Sequence, residues 1–298
     1  MSRRKSWLII LLLGSGRCLG QVQVAVSSGY ERENFHWSIA GNSAGQDPNI
    51  YSELKWQNAG GVFAGVDIKW KVWKRWVVLA NGRRTFTHSG SMTDTDYGLD
   101  NRHDVLYHEE FPVTGGYSEA GSVGLGYALI DCGSFELMAF AGYGVNKQHF
   151  PVTDAGGLNS SYDGKWLGPF VRVEGVWRLG TKWRIESSVR YDQVVYRGVA
   201  DWNLIAQFSH PVSFRHRADG FGITGEAGVS YVLNRHLLFS LKGNYFDWET
   251  GTGIDELYLA SGSTSKTQLN EVVRSGFGVG VGVVWKLSTV HKEFFGRR

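Results

Sequence analysis

The segment Thr93-Asp94-Thr95-Asp96-Tyr97-Gly98-Leu99-Asp100 sets three carboxylates two and four residues apart, with a glycine available for a bend. Such a group can collect oxygen ligands for Ca²⁺, which makes Asp94, Asp96 and Asp100 the candidate metal ligands. At the rim of a barrel, Asp94 and Asp96 can also point the same way and activate a water, the charge of one raising the pKa of the other. The plainer reading is an Asp-rich turn held by its own side-chain-to-backbone hydrogen bonds. Other apparent motifs carry less. Gly220 to Gly225 spells GxGxxG but opens a strand pattern with no crossover helix behind it, so nucleotide binding is not expected. His103, His108, Glu109 and Glu110 fit no tight metal spacing, Asn159-Ser160-Ser161 is a sequon by spelling alone, and no GxSxG element is present. No pattern calls for a cofactor.

The elements that would hold these residues are read from composition and periodicity. The chain has 298 residues, a formal charge of +3, 40 Gly, and 14% aromatic residues. The glycines follow no Gly-X-Y period, which excludes collagen, and the aromatics supply enough apolar surface to exclude disorder. Arg3, Arg4 and Lys5, an apolar run from Trp7 to Leu13, and small residues at Cys18 and Gly20 read as a secretory signal over 1–20. Its removal takes four basic residues and no acidic ones, leaving a net charge of −1 and Cys132 alone, so neither nucleic-acid binding nor an intramolecular disulfide is expected.

Past Gly20 no apolar run is long enough for a spanning helix, and apolar and polar residues alternate with a period of two. Val62 to Val72, Trp183 to Tyr191, Phe221 to Tyr231 and Phe277 to Leu287 show it best. Tight turns at 73–75, 130–133, 179–182 and 233–235 alternate with longer polar stretches at about 43–49, 87–104, 151–165, 200–212 and 251–270. This gives about ten strands with turns on one side and loops on the other, the asymmetry of an antiparallel up-and-down transmembrane β-barrel. Aromatics flank every tight turn at one height: Trp70, Trp76, Tyr127, Trp177, Trp183, Tyr231 and Trp285 are expected to form a membrane girdle. The inward positions carry both signs of charge, among them Asp67, Lys69, Arg172, Glu174, Glu226 and Lys242, so a paired, narrow lumen is expected rather than a wide pore. Pro169 must forgo a ladder bond and is expected towards the loop-side rim.

The stretches TDTDYGLDNR (93–102), ADWNL (200–204), SHPVSFRHRADGFGI (209–223) and STSKTQLNEV (263–272) resemble the Protochlamydia outer membrane protein family, which is related to the omptin-type outer-membrane β-barrels. The resemblance spans about 30–287 and implies an omptin-like ten-stranded barrel in the bacterial outer membrane, with a porin-like or structural role. Carried over residue by residue, the omptin carboxylate pair falls on Asp94 and Asp96. The second omptin element, Asp-x-His, falls on Asp201-Trp202-Asn203, so Asn203 stands where the proton-accepting His is needed.

Three functions are therefore expected in order: a non-enzymatic structural or porin-like envelope barrel, an omptin-like endopeptidase using Asp94, Asp96 and Asp201, and a surface ligand-binding or adhesive barrel. The expected partners are outer-membrane lipid, lipopolysaccharide included, and no nucleic acid. The organisation expected is a signal over 1–20, a barrel over 21–287 and a tail over 288–298, Ser288 to Arg298.

Overall fold

The computed structural model describes residues 20–287 apart from 114 and 155, so the signal expected over 1–20, Gly20 aside, and the tail expected over 288–298 lie outside the described residues. Twelve strands follow one another: β1 (Val22–Ile39), β2 (Ser52–Trp73), β3 (Trp76–Leu99), β4 (His103–Pro112), β5 (Tyr117–Asp131) and β6 (Phe135–Thr153). The second half holds β7 (Asn159–Leu179), β8 (Trp183–Asp201), β9 (Phe214–Val232), β10 (Leu237–Thr250), β11 (Gly253–Tyr258) and β12 (Thr264–Leu287). Ten of these form the ring β1-β2-β3-β5-β6-β7-β8-β9-β10-β12, each antiparallel to its neighbours. The ring closes where β12 pairs with β1 from Val22↔Leu287 to Ile39↔Leu269. A closed ring leaves no backbone edge facing lipid, which is the condition for strands to cross a bilayer. The two further strands lie above the ring: β4 pairs with the top of β3, and β11 lies between β9 and β12.

The tight turns fall where the sequence places them, and Gly133 (φ 77°) and Gly180 (φ 60°) supply the left-handed residues that two of them require. The loops differ from expectation. Residues 43–49 and 200–212 are largely irregular, but 87–104, 151–165 and 251–270 are mostly strand. The physical reason is a reversal of polarity along the strands. In β1, Val22, Val24 and Val26 face outward with Gln23, Ala25 and Ser27 inward; further up, Phe35 and Trp37 face inward with Asn34 and His36 outward. The same happens in β7, where outward Val171 and Val173 give way to outward Lys165 and Asp163, and in β9, where outward Ile223 and Phe221 give way to outward Asp219, Arg217 and Arg215. Polar outward residues made these segments look like loops, whereas they are strands that have left the membrane. Pro169 is likewise not at the rim: it sits in the middle of β7 beside Tyr143, where the ladder to β8 is interrupted between Leu167 and Phe170.

Candidate functional site

The girdle residues all face outward near the turn end. Trp76 and Tyr127 are cross-strand partners 5.1 Å apart, as are Trp183 and Tyr231 at 5.0 Å, and Trp177 lies 5.0 Å from Phe135. Trp70 and Trp285 are likewise exposed. A second set of outward rings, including Tyr30, Phe86, Tyr143, Tyr191 and Phe277, lies higher on the same strands and brackets an apolar band.

Within that band the lumen is a chain of ion pairs. Lys69 and Arg172 both reach Glu174, Arg172 at 2.9 Å; Arg172 also lies 3.4 Å from Glu226, and Lys242 lies 3.1 Å from Glu186. Arg190 grips Asp192 with two N–H···O bonds of 2.8 and 2.6 Å, the fork geometry that gives such pairs their strength. Above them, Arg83 donates to Glu31 (2.9 Å) and Arg274 to Glu33 (2.9 Å). Enclosed among these groups is a polar cavity of about 140 Å³, bounded by Asp67, Arg83, Arg190 and Glu226 and, at its upper end, by Trp248. It has room for roughly four or five waters.

Over the cavity the lumen turns apolar. Phe35 of β1 packs against Trp56, Phe150 and Tyr162 at 5.4–5.7 Å between ring centres, and Trp37 meets Tyr162 and Phe214 at 5.7 and 5.6 Å. These contacts link β1 to β6, β7 and β9 across the barrel, so the layer spans the lumen. Trp56, Phe150, Tyr162 and Trp166 are at most 1% exposed. At its centre, the Tyr162 hydroxyl meets Tyr196 Oη at 2.6 Å and His216 Nδ1 at 2.8 Å, and His216 Nε2 lies 3.2 Å from Asp255 on β11.

The sequence-predicted carboxylates lie around this layer and are not brought together. Residues 93–99 are strand, not a turn, so Asp94 and Asp96 do share one face: they pair with Leu54 and Ser52 on β2, which puts them on the interior side. Asp94 is 6% exposed, and burial, reinforced by the charges of Asp96 and Glu109, pushes its carboxyl up to about 8. Burial also raises Asp96, partly offset by a hydrogen bond from Ser52. Asp100 is drawn away, accepting the Asn49 backbone N–H at 2.7 Å, and among the described residues no three acidic, His or Cys side chains converge as a cation cage. On the outer face of the same strands, burial would raise Glu53, but its ion pairs with Arg102 and Lys55 prevail and leave it lowered.

Asp201, at the end of β8, pairs with Ser161, while its neighbours Ala200 and Trp202 enter the apolar layer; Asp201 therefore faces outward. It does have a histidine: His210 Nδ1 is 2.6 Å away. That partner comes from the far side of the 202–213 loop, so no fixed spacing in the sequence announces it. Asn203 instead accepts the Ser160 hydroxyl (2.7 Å). One pair of carboxylates thus faces inward on β3 and the Asp201–His210 pair faces outward on β8, with the aromatic layer between the two strands. Sequence reasoning missed that layer, although its residues alternate as regularly as those of the membrane band.

No curated protein matches the chain. Among solved structures, the outer membrane protease OmpT of Escherichia coli has a TM-score of 0.72 at 13% identity, covering 90% of this chain and 97% of that one. At that identity the likeness is one of fold. The outer membrane protein OprG of Pseudomonas aeruginosa matches over 90% of this chain and 96% of its own at 14% identity, with a TM-score of 0.42. Residues 25–287 match the family described as Protochlamydia outer membrane protein, and the chain belongs to that family of bacterial outer-membrane proteins.

Proposed function

We propose that the protein is a structural envelope barrel that carries its upper strands and loops above the outer membrane and does not conduct freely. The aromatic layer from Phe35 to Phe214 across the lumen carries this reading. A close-packed layer has no path for hydrated ions. In planar bilayers the purified barrel is expected to be silent, and Trp56→Ala to introduce small conductance steps. Steps of the same size from the unaltered barrel would sink the reading.

A porin-like role is the second reading, favoured by the polar cavity below the layer. It requires the layer to shift, so conductance that appears only under applied voltage would support it. An endopeptidase is less favoured, because Asp94 and Asp96 face away from Asp201 and His210. Peptide cleavage abolished by Asp94→Ala would reverse that order.

Lipopolysaccharide is the proposed outer-leaflet partner. Outward Arg84, Lys147, Lys165 and Arg197 stand at or above the upper aromatic ring, at the level of anionic headgroups. Loss of thermal protection by lipopolysaccharide in the Lys147→Gln, Lys165→Gln double variant is the expected result.

A further inference from the structure

The turn end of the barrel carries an unbalanced charge. Lys71, Lys74 and Arg75 lie at the first turn, Arg178, Lys182 and Arg184 at the third, Arg235 at the fourth, and Lys286 at the end of β12. Opposing them among the described residues are Asp131 and Glu136 at the second turn and Glu186, level with Glu136 across β7 and committed to Lys242 at 3.1 Å. Several of the cations are spread on the outer surface, where water and headgroups solvate them; Lys74, for example, lies over the Trp73 ring at 4.8 Å. Three are not. Arg178 and Arg184 are direct cross-strand partners, and Arg184 points into the lumen mouth together with Lys286, which pairs with inward Gln23 on β1.

Their neutralisation is uneven. Arg178 is held by Glu136 at 2.6 Å and by the Gly133 carbonyl at 2.8 Å. Among the described residues, neither Arg184 nor Lys286 has a carboxylate within ion-pair distance, although Lys286 is only 9% exposed. The lumen above this mouth behaves differently, since its cations Lys69, Arg172, Arg190 and Lys242 each have an acidic partner. Like charges directly opposite one another destabilise a sheet, and a buried cation without a counter-charge costs more still. Within the membrane band the barrel's own carboxylates neutralise the lumen cations, whereas among the described residues Arg184 and Lys286 have none at hand.

We propose that Arg184 and Lys286 form an anion site at the turn-side mouth of the lumen, which binds a phosphoryl group. The Arg184 guanidinium on β8 offers a planar fork matched to two phosphate oxygens, and Lys286 on β12, with β9 and β10 between them in the ring, adds a compact charge. Because the turns of such a barrel face the periplasm, the phosphoryl group comes from there. Its source is either a soluble phosphate or the headgroup of a phospholipid in the inner leaflet, since the site lies level with the Trp285 girdle.

The test is thermal melting of the full refolded barrel in zwitterionic detergent, with inorganic phosphate titrated at ionic strength held constant by chloride. A second series replaces phosphate by phosphatidylglycerol in bicelles. At least one series is expected to raise the melting temperature saturably, and Lys286→Gln and Arg184→Gln are each expected to weaken the apparent affinity at least tenfold. Arg215→Gln, on the outer surface of β9, should respond as the unaltered barrel does. A response to free phosphate identifies a soluble ligand; a response to phosphatidylglycerol alone identifies the headgroup. The proposal is overturned if chloride at matched ionic strength protects equally, or if both variants respond like the unaltered protein. Lys286→Gln should also melt no lower than the unaltered barrel in phosphate-free buffer, because it relieves a repulsion; a clear drop would show that the ammonium is already neutralised and would overturn the proposal too. If that variant does not refold, Arg184→Gln carries the same comparison.

Discussion

The lower and upper halves of the lumen are built by the same strands on the same inward face, yet one is a lattice of ion pairs and the other a close-packed aromatic layer. Glu174 and Arg172 occupy inward positions of β7 in the membrane band, while Tyr162 and Trp166 occupy inward positions of the same strand higher up. The side-chain period does not slip between them, because all four share one face. What changes is the medium outside. Against lipid the outer face must be apolar, so polar residues are left for the inside, where they satisfy one another. Above the membrane the outer face meets water, and the ordinary rule of an apolar interior returns. The outer-membrane boundary can therefore be located where the pattern inverts, between Val171 and Lys165 in β7 and between Phe221 and Asp219 in β9.

The comparison can be broken in several places, the largest effects lying in the upper layer. Trp56→Ala removes a fully buried ring that touches Phe35, Phe150 and Tyr162, and is expected to cost about 3–5 kcal/mol in urea unfolding. A loss under about 1 kcal/mol would mean the layer is not close-packed. Val173→Arg places a charge on the lipid face and should cost about 2–4 kcal/mol, whereas the same residue at Lys165 should cost almost nothing. In the lower lumen, Glu174→Gln leaves Lys69 and Arg172 without their shared carboxylate, for an expected loss of about 2–3 kcal/mol, tempered because Lys69 is partly hydrated.

The smallest effect concerns pH. Because burial lifts Asp94 to about 8, the folded barrel keeps a proton that the unfolded chain releases near pH 4. Folding therefore binds protons between those values, and stability falls as pH rises through that window. Asp94→Asn should flatten this slope and stabilise the barrel at pH 8 by an amount on the order of 1–2 kcal/mol, measured as urea unfolding at pH 5 and 8. An unchanged slope would mean that Asp94 is ionised in the folded state.

Legibility in the sequence followed the same division. The ten-stranded ring and its tight turns were readable, because apolar residues facing lipid alternate with polar residues facing the lumen, and the aromatics from Trp70 to Trp285 do face outward at the turn end. The lumen's charges were readable as a set, but not their pairings, since Lys69 and Glu174 are brought together only by closure of the ring. The upper strands were taken for loops because polarity there is inverted, so the aromatic layer went unseen. The shared face of Asp94 and Asp96 was one reading among three, and the plainer one, an Asp-rich turn, gives way to strand over 93–99. The Asp201–His210 contact was not expected, because it spans an irregular loop whose path no local pattern dictates.

The inversion itself is open to a direct measurement along β7. Single cysteines would replace Asp163, Lys165, Val171 and Val173, and also Tyr162 and Trp166, in a Cys132→Ser background, since Cys132 is exposed at a turn. Each variant would be refolded into lipid vesicles and treated with a charged, water-soluble maleimide. The account predicts fast labelling at 163 and 165, slow labelling at 171 and 173 behind lipid, and slow labelling at 162 and 166 behind the aromatic layer. Fast labelling at 162 and 166 would contradict a sealed lumen, and equal labelling at 165 and 171 would contradict a membrane boundary between them.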